Sequence, residues 1–475
     1  MTHFAIAWIL VPFVAGLTLY LLPMVARGLT LAIALLSLCV GLAITIQDIN
    51  LSFVLMDSFG ISLQIDSLSG YFVVTNALVL LAVVLYTWRG NDSAFFYVLL
   101  CFLHGSANTV FISADFLSLY VNLEVLGIVV FLLIAYPRSD RPLWIGLRYL
   151  MVSNVAMLFY LMGVGFVYQA SHSFSFQVLM QAPPEAVALI LMALLAKGAI
   201  FVSGLWLPQT NVVAAPVVAA LLAGIVENAG VFTLARLSLL YEGMGHIVQL
   251  FALCSIFFGP VLALVADDVR RLLSFSTLGQ LGWVIISPAA AGLYALMHGL
   301  AKASLFLSVG ELNHYRLGEL RQQGMVRPVA IAMMVAGYGI IGIPLLGGFA
   351  AKALTMSYLQ PWQQGLLYGA SVLTATLYSK LVLIPRQPSS TPLPLGYSAA
   401  TLVLLGGLVL ANAGYLEAYT PEKLLPSLIP PVVGLLLVGL GVSRWESAWR
   451  GAWERLEHLL GMILLLLIGL IWLAL

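Results

Sequence analysis

The sequence predicts an all-α polytopic membrane protein of about 14–16 transmembrane helices, and three observations predict it. First, 62% of the 475 residues are hydrophobic and 8% are charged, with a mean hydropathy of +1.06, a composition that no water-facing surface could carry. Second, apolar runs of about 20 residues, the length that crosses a bilayer, recur along the whole chain. Third, the basic residues are sorted by type: nearly all fifteen arginines lie in the short gaps between these runs, whereas four of the five lysines lie inside them.

Taken in order, crossings are expected near 4–25, 28–46, 68–88, 94–113, 115–136, 143–168, 186–206, 213–240, 246–265, 271–288, 290–312, 328–358, 364–385, 396–414, 428–442 and 457–475, sixteen in all. Fourteen arginines fall in the gaps after odd-numbered spans or at the span edges beside them, and the other side holds only Arg236 and Lys423. By the positive-inside rule both termini are expected outside. One early span more or fewer would scatter the arginines over both faces, so the asymmetry also checks the count. The start MTHFAIAWILVP lacks the basic flank of a cleaved signal, and the first span is expected to be retained. The polar intervals near 386–394 and 414–427 are too short for a soluble domain, leaving a single membrane domain over 1–475. In the segment 444–458, Trp445, Trp449 and Trp453 recur every four residues with charges on the other faces, which predicts an amphipathic helix in the cytoplasmic interface.

Several functions are excluded. A net charge of +1 offers no field for nucleic acid. Cys39, Cys101 and Cys254 stand singly, so no disulfide, zinc or iron–sulfur site is expected, and no metal or cofactor. Gly337, Gly339 and Gly342 match the spacing of a dinucleotide loop but lie within an apolar span, where close packing and a helix break explain them. No catalytic nucleophile or redox motif is present.

The chemistry-bearing residues are therefore the ionisable ones within the spans: Glu124, Lys197, Glu227, His298, Lys302, Lys352 and Lys380, with His104 read as a packing residue. A basic group at the centre of a bilayer costs about 2.5–3.5 kcal/mol on insertion scales, which makes each one a candidate functional residue. Lysine, unlike arginine, can release its proton when buried, which suits it to carrying protons. His298 and Lys302 stand at i and i+4 and share a helical face. Lys380, near the end of its span, is expected to snorkel to the interface. Two lysines adjoin helix breakers: Lys197 precedes Gly204 to Pro208, and Lys352 follows Gly342 to Gly348 with Pro344. Interrupted helices at membrane depth occur where protein or a water-filled cavity satisfies the freed backbone.

Five blocks carry a family resemblance: Asp115 to Leu126 around Glu124; Trp206 to Pro208 with Ala215, Pro216 and Gly224; Asp268 to Ser276 with Gly279, Gln280 and Gly282; His298 to Leu307; and Gly342 to Lys352. In this order they resemble the proton-conducting antiporter-like membrane subunits of Mrp-type cation/proton antiporters and of complex I, over about residues 60–385. The wording around Glu124 resembles the D-type Mrp subunit more than the complex I subunits. The resemblance implies N-terminal helices over 1–93, inverted five-helix repeats over 94–240 and 246–385, each with a broken helix, and C-terminal helices over 386–475. It implies a proton relay in which Glu124 pairs with Lys197, Lys302 is central with His298 beside it, and Lys352 is terminal. It also implies partner membrane subunits, protons and a monovalent cation such as Na+ as cargo, and the plasma or thylakoid-type membrane of a prokaryote. One departure matters. Asn228 stands where the family usually has a lysine in the eighth span, and a histidine usual near the Trp206 block is missing. Asparagine cannot titrate, so Glu227, one residue and about 100 degrees away, or water would have to bridge the gap. The rival readings are a membrane-arm subunit of an NAD(P)H- or ferredoxin:quinone oxidoreductase, and a structural subunit whose relay has decayed.

Overall fold

The computed structural model describes residues 2–55, 61–388, 392–441 and 455–474. It opens with α1 (Thr2–Leu21) and α2 (Ala26–Ile46), an antiparallel hairpin of β1 (Leu51–Val54) and β2 (Ser62–Ile65) with Leu51 opposite Ile65, and α3 (Ser67–Tyr86). There follow α4 (Ala94–Ile112), α5 (Phe116–Ile134), α6 (Asp140–Ser171), α7 (Pro184–Lys197), α8 (Leu207–Val213), α9 (Pro216–Leu221) and α10 (Glu227–Leu240), the last two joined by one π-helical turn over Leu222–Val226. Next come α11 (Glu242–Val265), α12 (Val269–Ile285), α13 (Ala291–Val309), α14 (Leu317–Gln323), α15 (Arg327–Ile341), α16 (Gly348–Ser357) and α17 (Pro361–Val382). A two-residue parallel pair, β3 (Met325–Val326) with β4 (Arg386–Gln387), precedes α18 (Leu395–Ala413), α19 (Pro421–Gly439) and α20 (Leu456–Ala474).

The protein is thus an all-α polytopic membrane protein, and each of the sixteen expected segments falls on one helix or a broken pair. By length and hydropathy eleven described helices can cross a bilayer, or twelve counting the bent pair α7 and α8 as one. The remaining segments fall short for identifiable reasons: α12 has 17 residues and opens on two arginines, α15 and α20 are shorter apolar helices, and α17 carries Gln363, Gln364 and Lys380. Of the expected interfacial helix at 444–458, residues 444–454 lie outside the described residues.

Helix starts follow from local chemistry. Asp66, Asp115 and Asp268 cap α3, α5 and α12, accepting from the backbone N–H of Ser69, Ser118 and Arg270 at 2.9, 2.7 and 2.8 Å. Proline occupies the first turn of α7, α9, α15, α17 and α19, where its missing N–H is harmless. Two of the capping aspartates sit in matching backbone bridges. Phe116 N–H donates to Phe174 O and Phe176 N–H to Ala114 O, bracketing Asp115 and Ser175. Val269 N–H donates to Tyr315 O and Leu317 N–H to Asp267 O, bracketing Asp268 and Arg316 in the same way.

All nineteen residues of α13 are buried, and it packs against α3, α9, α12, α15, α16 and α18, so it forms the centre of the molecule. Gly299 on α13 permits the approach of α9 and its π turn, since a Cβ there would lie 3.1 Å from Gly224 O. Arg236, the one arginine on the sparsely charged side, is 4% exposed and grips Asp66 with both guanidinium nitrogens, one at 2.9 Å. Burial alone would raise the Asp66 carboxyl, but Arg236 and the bonds from Ser69 outweigh it and hold it below the ordinary carboxylate range. His104 joins a buried polar knot, its Nε2 2.8 Å from Ser37 Oγ and 3.0 Å from Asn108 Nδ2, in keeping with a packing role.

Candidate functional site: a series of buried lysines

Lys197 ends α7, where the backbone bends by 45° before α8. Ala199 and Phe201 take left-handed φ values of 51° and 55° in the break, a strain of about 1–2 kcal/mol each for residues with a Cβ. The freed groups are satisfied by protein: Trp206 Nε1 donates to Ala196 O at 3.1 Å, and Phe201 N–H to Ser255 Oγ at 3.0 Å. The ammonium of Lys197 donates to Leu123 O at 3.1 Å and Ser153 Oγ at 2.6 Å. Gly127 makes room for it, because a Cβ at that position would lie 3.1 Å from Nζ.

Lys302 is fully buried on α13 and donates to Leu273 O and Ser276 Oγ, both at 2.8 Å. Ser276 Oγ lies 2.9 Å from Tyr378 Oη, and the lysine nitrogen stands 5.8 Å from the Tyr378 ring centre. One turn further along α12, Gln280 accepts from Tyr294 Oη at 2.8 Å, and Tyr294 stacks on Trp283. Trp283 in turn faces Lys352, whose Nζ is 4.6 Å from its ring centre. Lys352 donates to Ile341 O at 3.0 Å and Ser371 Oγ at 3.3 Å. Ile341 ends α15, so its carbonyl is one that the helix leaves without an internal partner. This second break carries left-handed φ values at Gly342 (92°) and Leu345 (71°). Lys352 lines a cavity of about 240 Å³ that also reaches Glu422 and Lys423.

A single pattern covers all three: each ammonium rests on one backbone carbonyl and one serine hydroxyl, and none of the ion pairs among the described residues involves Lys197, Lys302 or Lys352. Glu124 makes no direct bond to Lys197, and its Oε1 has no partner. Likewise Glu227 is fully buried with both oxygens unpartnered. His298 is 2% exposed with neither ring nitrogen bonded, and it does not bond Lys302 although the two share a face. Asn228 spends its amide on Gly224 O at 2.9 Å and leaves Oδ1 unpartnered. The three unpartnered groups lie on α10 and α13, which pack together.

Lys380 departs from expectation. It does not snorkel but is 2% exposed, with its ammonium turned onto Leu264 O near the end of α11. Arg148, counted among the interfacial charges, is also buried and bonds Gln209 on α8. Sequence reasoning missed Ser153, Ser371, Tyr378 and Trp283. A serine or aromatic residue on an apolar helix carries no signal until the fold sets it against a lysine. Ser276 and Gln280 did lie within a block that carried the resemblance, but without a role.

Comparison with known proteins identifies the family and the fold. A family model described as NADH:quinone oxidoreductase/Mrp antiporter, transmembrane, matches residues 113–377. The F(420)H(2) dehydrogenase subunit N of Methanosarcina mazei is 28% identical over 403 residues, covering 74% of this chain and 82% of that protein. The D-type subunit of the Na(+)/H(+) antiporter of Alkalihalophilus pseudofirmus is 24% identical over 393 residues, covering 74% and 80%. A chain of the Mrp complex from Dietzia sp. DQ12-45-1b superposes with a TM-score of 0.74 at 17% identity, covering 96% of this chain and 99% of that one. With more than half of its length matched, both lysine-bearing breaks included, the chain belongs to the NADH:quinone oxidoreductase/Mrp antiporter transmembrane family.

Proposed function

We propose that this chain is the proton-translocating subunit of a multisubunit monovalent cation/proton antiporter that exchanges H+ for Na+. The observation that carries the reading is the seating of Lys197, Lys302 and Lys352 on neutral acceptors. An ammonium has three donors, and each of these fills two. Because no carboxylate is bonded to them, these lysines can lose a proton without abandoning a buried anion at contact distance. Glu124 and Glu227 act from beyond contact, so small changes in separation alter how tightly a lysine holds its charge. The relay then runs from Glu124 and Lys197 to Lys302 and His298, and through Ser276, Tyr378 and the α12 column to Lys352 and its cavity. Glu227, with Asn228 beside it, replaces the missing lysine as the bridge between Lys197 and Lys302.

The matched bridges at Asp115 and Asp268 support two inverted repeats over 94–240 and 246–385. Five crossings separate them, which places the two bridges on opposite faces, as inversion requires. The arginine-rich side is cytoplasmic and both termini are outside. In everted vesicles, Glu124→Ala and Lys302→Ala should each reduce Na+-driven proton movement by about a hundredfold or more; undiminished movement in both would sink the mechanism. The similarity to a component of an F(420)H(2) dehydrogenase favours a second reading, proton pumping driven by redox chemistry in other chains. Identifying the subunits of the purified complex separates the two, since iron–sulfur partners would favour the redox reading.

A further inference from the structure

A cavity of about 940 Å³, which Lys197, Lys302 and Lys352 do not line, lies at the arginine-rich ends of the helices. One wall is a stripe of α11, Phe258, Val261, Leu262 and Val265, spaced as one helical face. The stripe runs about 10 Å along the helix axis, and Val261 is 50% exposed. It ends where α11 ends, at the bridge that joins Asp268 to Arg316. At that level Arg141, Arg270, Arg271 and Arg316 face Asp267, Asp268 and Glu319, an excess of one positive charge. Arg270 is occupied by Asp268 at 2.7 Å, and His314 by Glu319 at 3.3 Å. Arg141, in the first turn of α6, and Arg316 are exposed and have no ion-pair partner among the described residues.

A small soluble anion would use the arginines and leave the stripe wet, and a neutral isoprenoid would use the stripe and leave the arginines idle. A molecule that satisfies both has a negative headgroup on an acyl chain. We propose that this groove binds an anionic phospholipid, its phosphate between Arg141 and Arg316 and one acyl chain along the α11 stripe. Guanidinium forks match phosphate oxygens, and an acyl chain packs on the apolar stripe without burying a polar group. The site stands independently of the transported ion, and its test needs no transport.

The intact complex, purified in mild detergent and incubated with vesicles of equimolar phosphatidylcholine and phosphatidylglycerol, should retain phosphatidylglycerol on mass spectrometry. Arg141→Gln combined with Arg316→Gln should lower that retention about tenfold, about 1.4 kcal/mol. Val261→Trp, which fills the groove and keeps both arginines, should lower it as well. An unchanged elution profile of the complex shows that the variants assemble. Three results would each overturn the site: retention unaffected by either variant, equal retention of phosphatidylcholine, or displacement of the lipid by excess inorganic phosphate.

Discussion

Lys197, Lys302 and Lys352 are each held by a carbonyl and a serine, and in the proposed relay this choice of partners would separate a proton carrier from a structural ion pair. A lysine bonded directly to a carboxylate in a dry interior is locked, because moving its proton leaves both groups badly placed. Lys380, whose ammonium is turned onto Leu264 O near the end of α11, is not part of the proposed relay. Glu227, His298 and Asn228 all carry buried atoms without partners, and in the proposed relay they would lie where the expected lysine is absent. Buried polar groups without partners are uncommon and call for water or a mobile proton to satisfy them. Glu227→Gln preserves shape and removes the titrating group, and it should lower proton flux about tenfold or more when a pH-sensitive dye follows vesicle acidification. Asn228→Lys in the same background should restore part of the loss. Full flux in Glu227→Gln would remove Glu227 from the path.

At the level of elements, the breaks in α7–α8 and α15–α16 bring open backbone to the lysines, and the rest of the fold satisfies what the breaks expose. Trp206, Ser255, Asn412 and Tyr419 supply those bonds from neighbouring segments. The π turn before Glu227 belongs to the same class of interruption, which often marks functional sites. Asp66 serves as a different kind of junction, capping α3 while holding Arg236 on α10. Asp66→Asn would leave Arg236 buried and uncompensated, and a loss of about 3 kcal/mol is expected. The pH dependence has a definite sign. The folded-state carboxyl is held below its unfolded value near 3.9, so its contribution is complete above that pH and is lost as pH falls through the folded value. Thermal unfolding in detergent should show this acid loss in the wild type and not in Asp66→Asn; equal acid limbs would contradict the assignment.

For the whole molecule, charge sets orientation. With Arg236 neutralised by Asp66, the sparsely charged face carries even less free positive charge than the residue count implies. Both termini are therefore expected outside. With the native cysteines replaced by serine, Thr2→Cys should react with a membrane-impermeant maleimide added to intact cells, whereas Arg138→Cys should react only after permeabilisation. The reverse labelling would invert the topology and with it the direction of the relay.

Composition and residue order were enough to establish a many-spanning helical membrane protein with basic groups out of place, because hydropathy and the cost of charge in lipid act on every residue locally. They also pointed to both breaks, but not to the residue: Gly342 stands at the second, whereas the first opens at Ala199 and Phe201, ahead of Gly204 to Pro208, and Pro12, Pro260 and Pro430 lie inside continuous helices. What surrounds each lysine depends instead on packing between segments distant in the chain. Ser153, Ser276 and Ser371 come from other helices, and the central burial of α13 results from its packing against helices on every side. The inward turn of Lys380 was settled in the same way. A long side chain near a helix end can reach either water or a neighbour's free carbonyl, and Leu264 on α11 supplies the carbonyl.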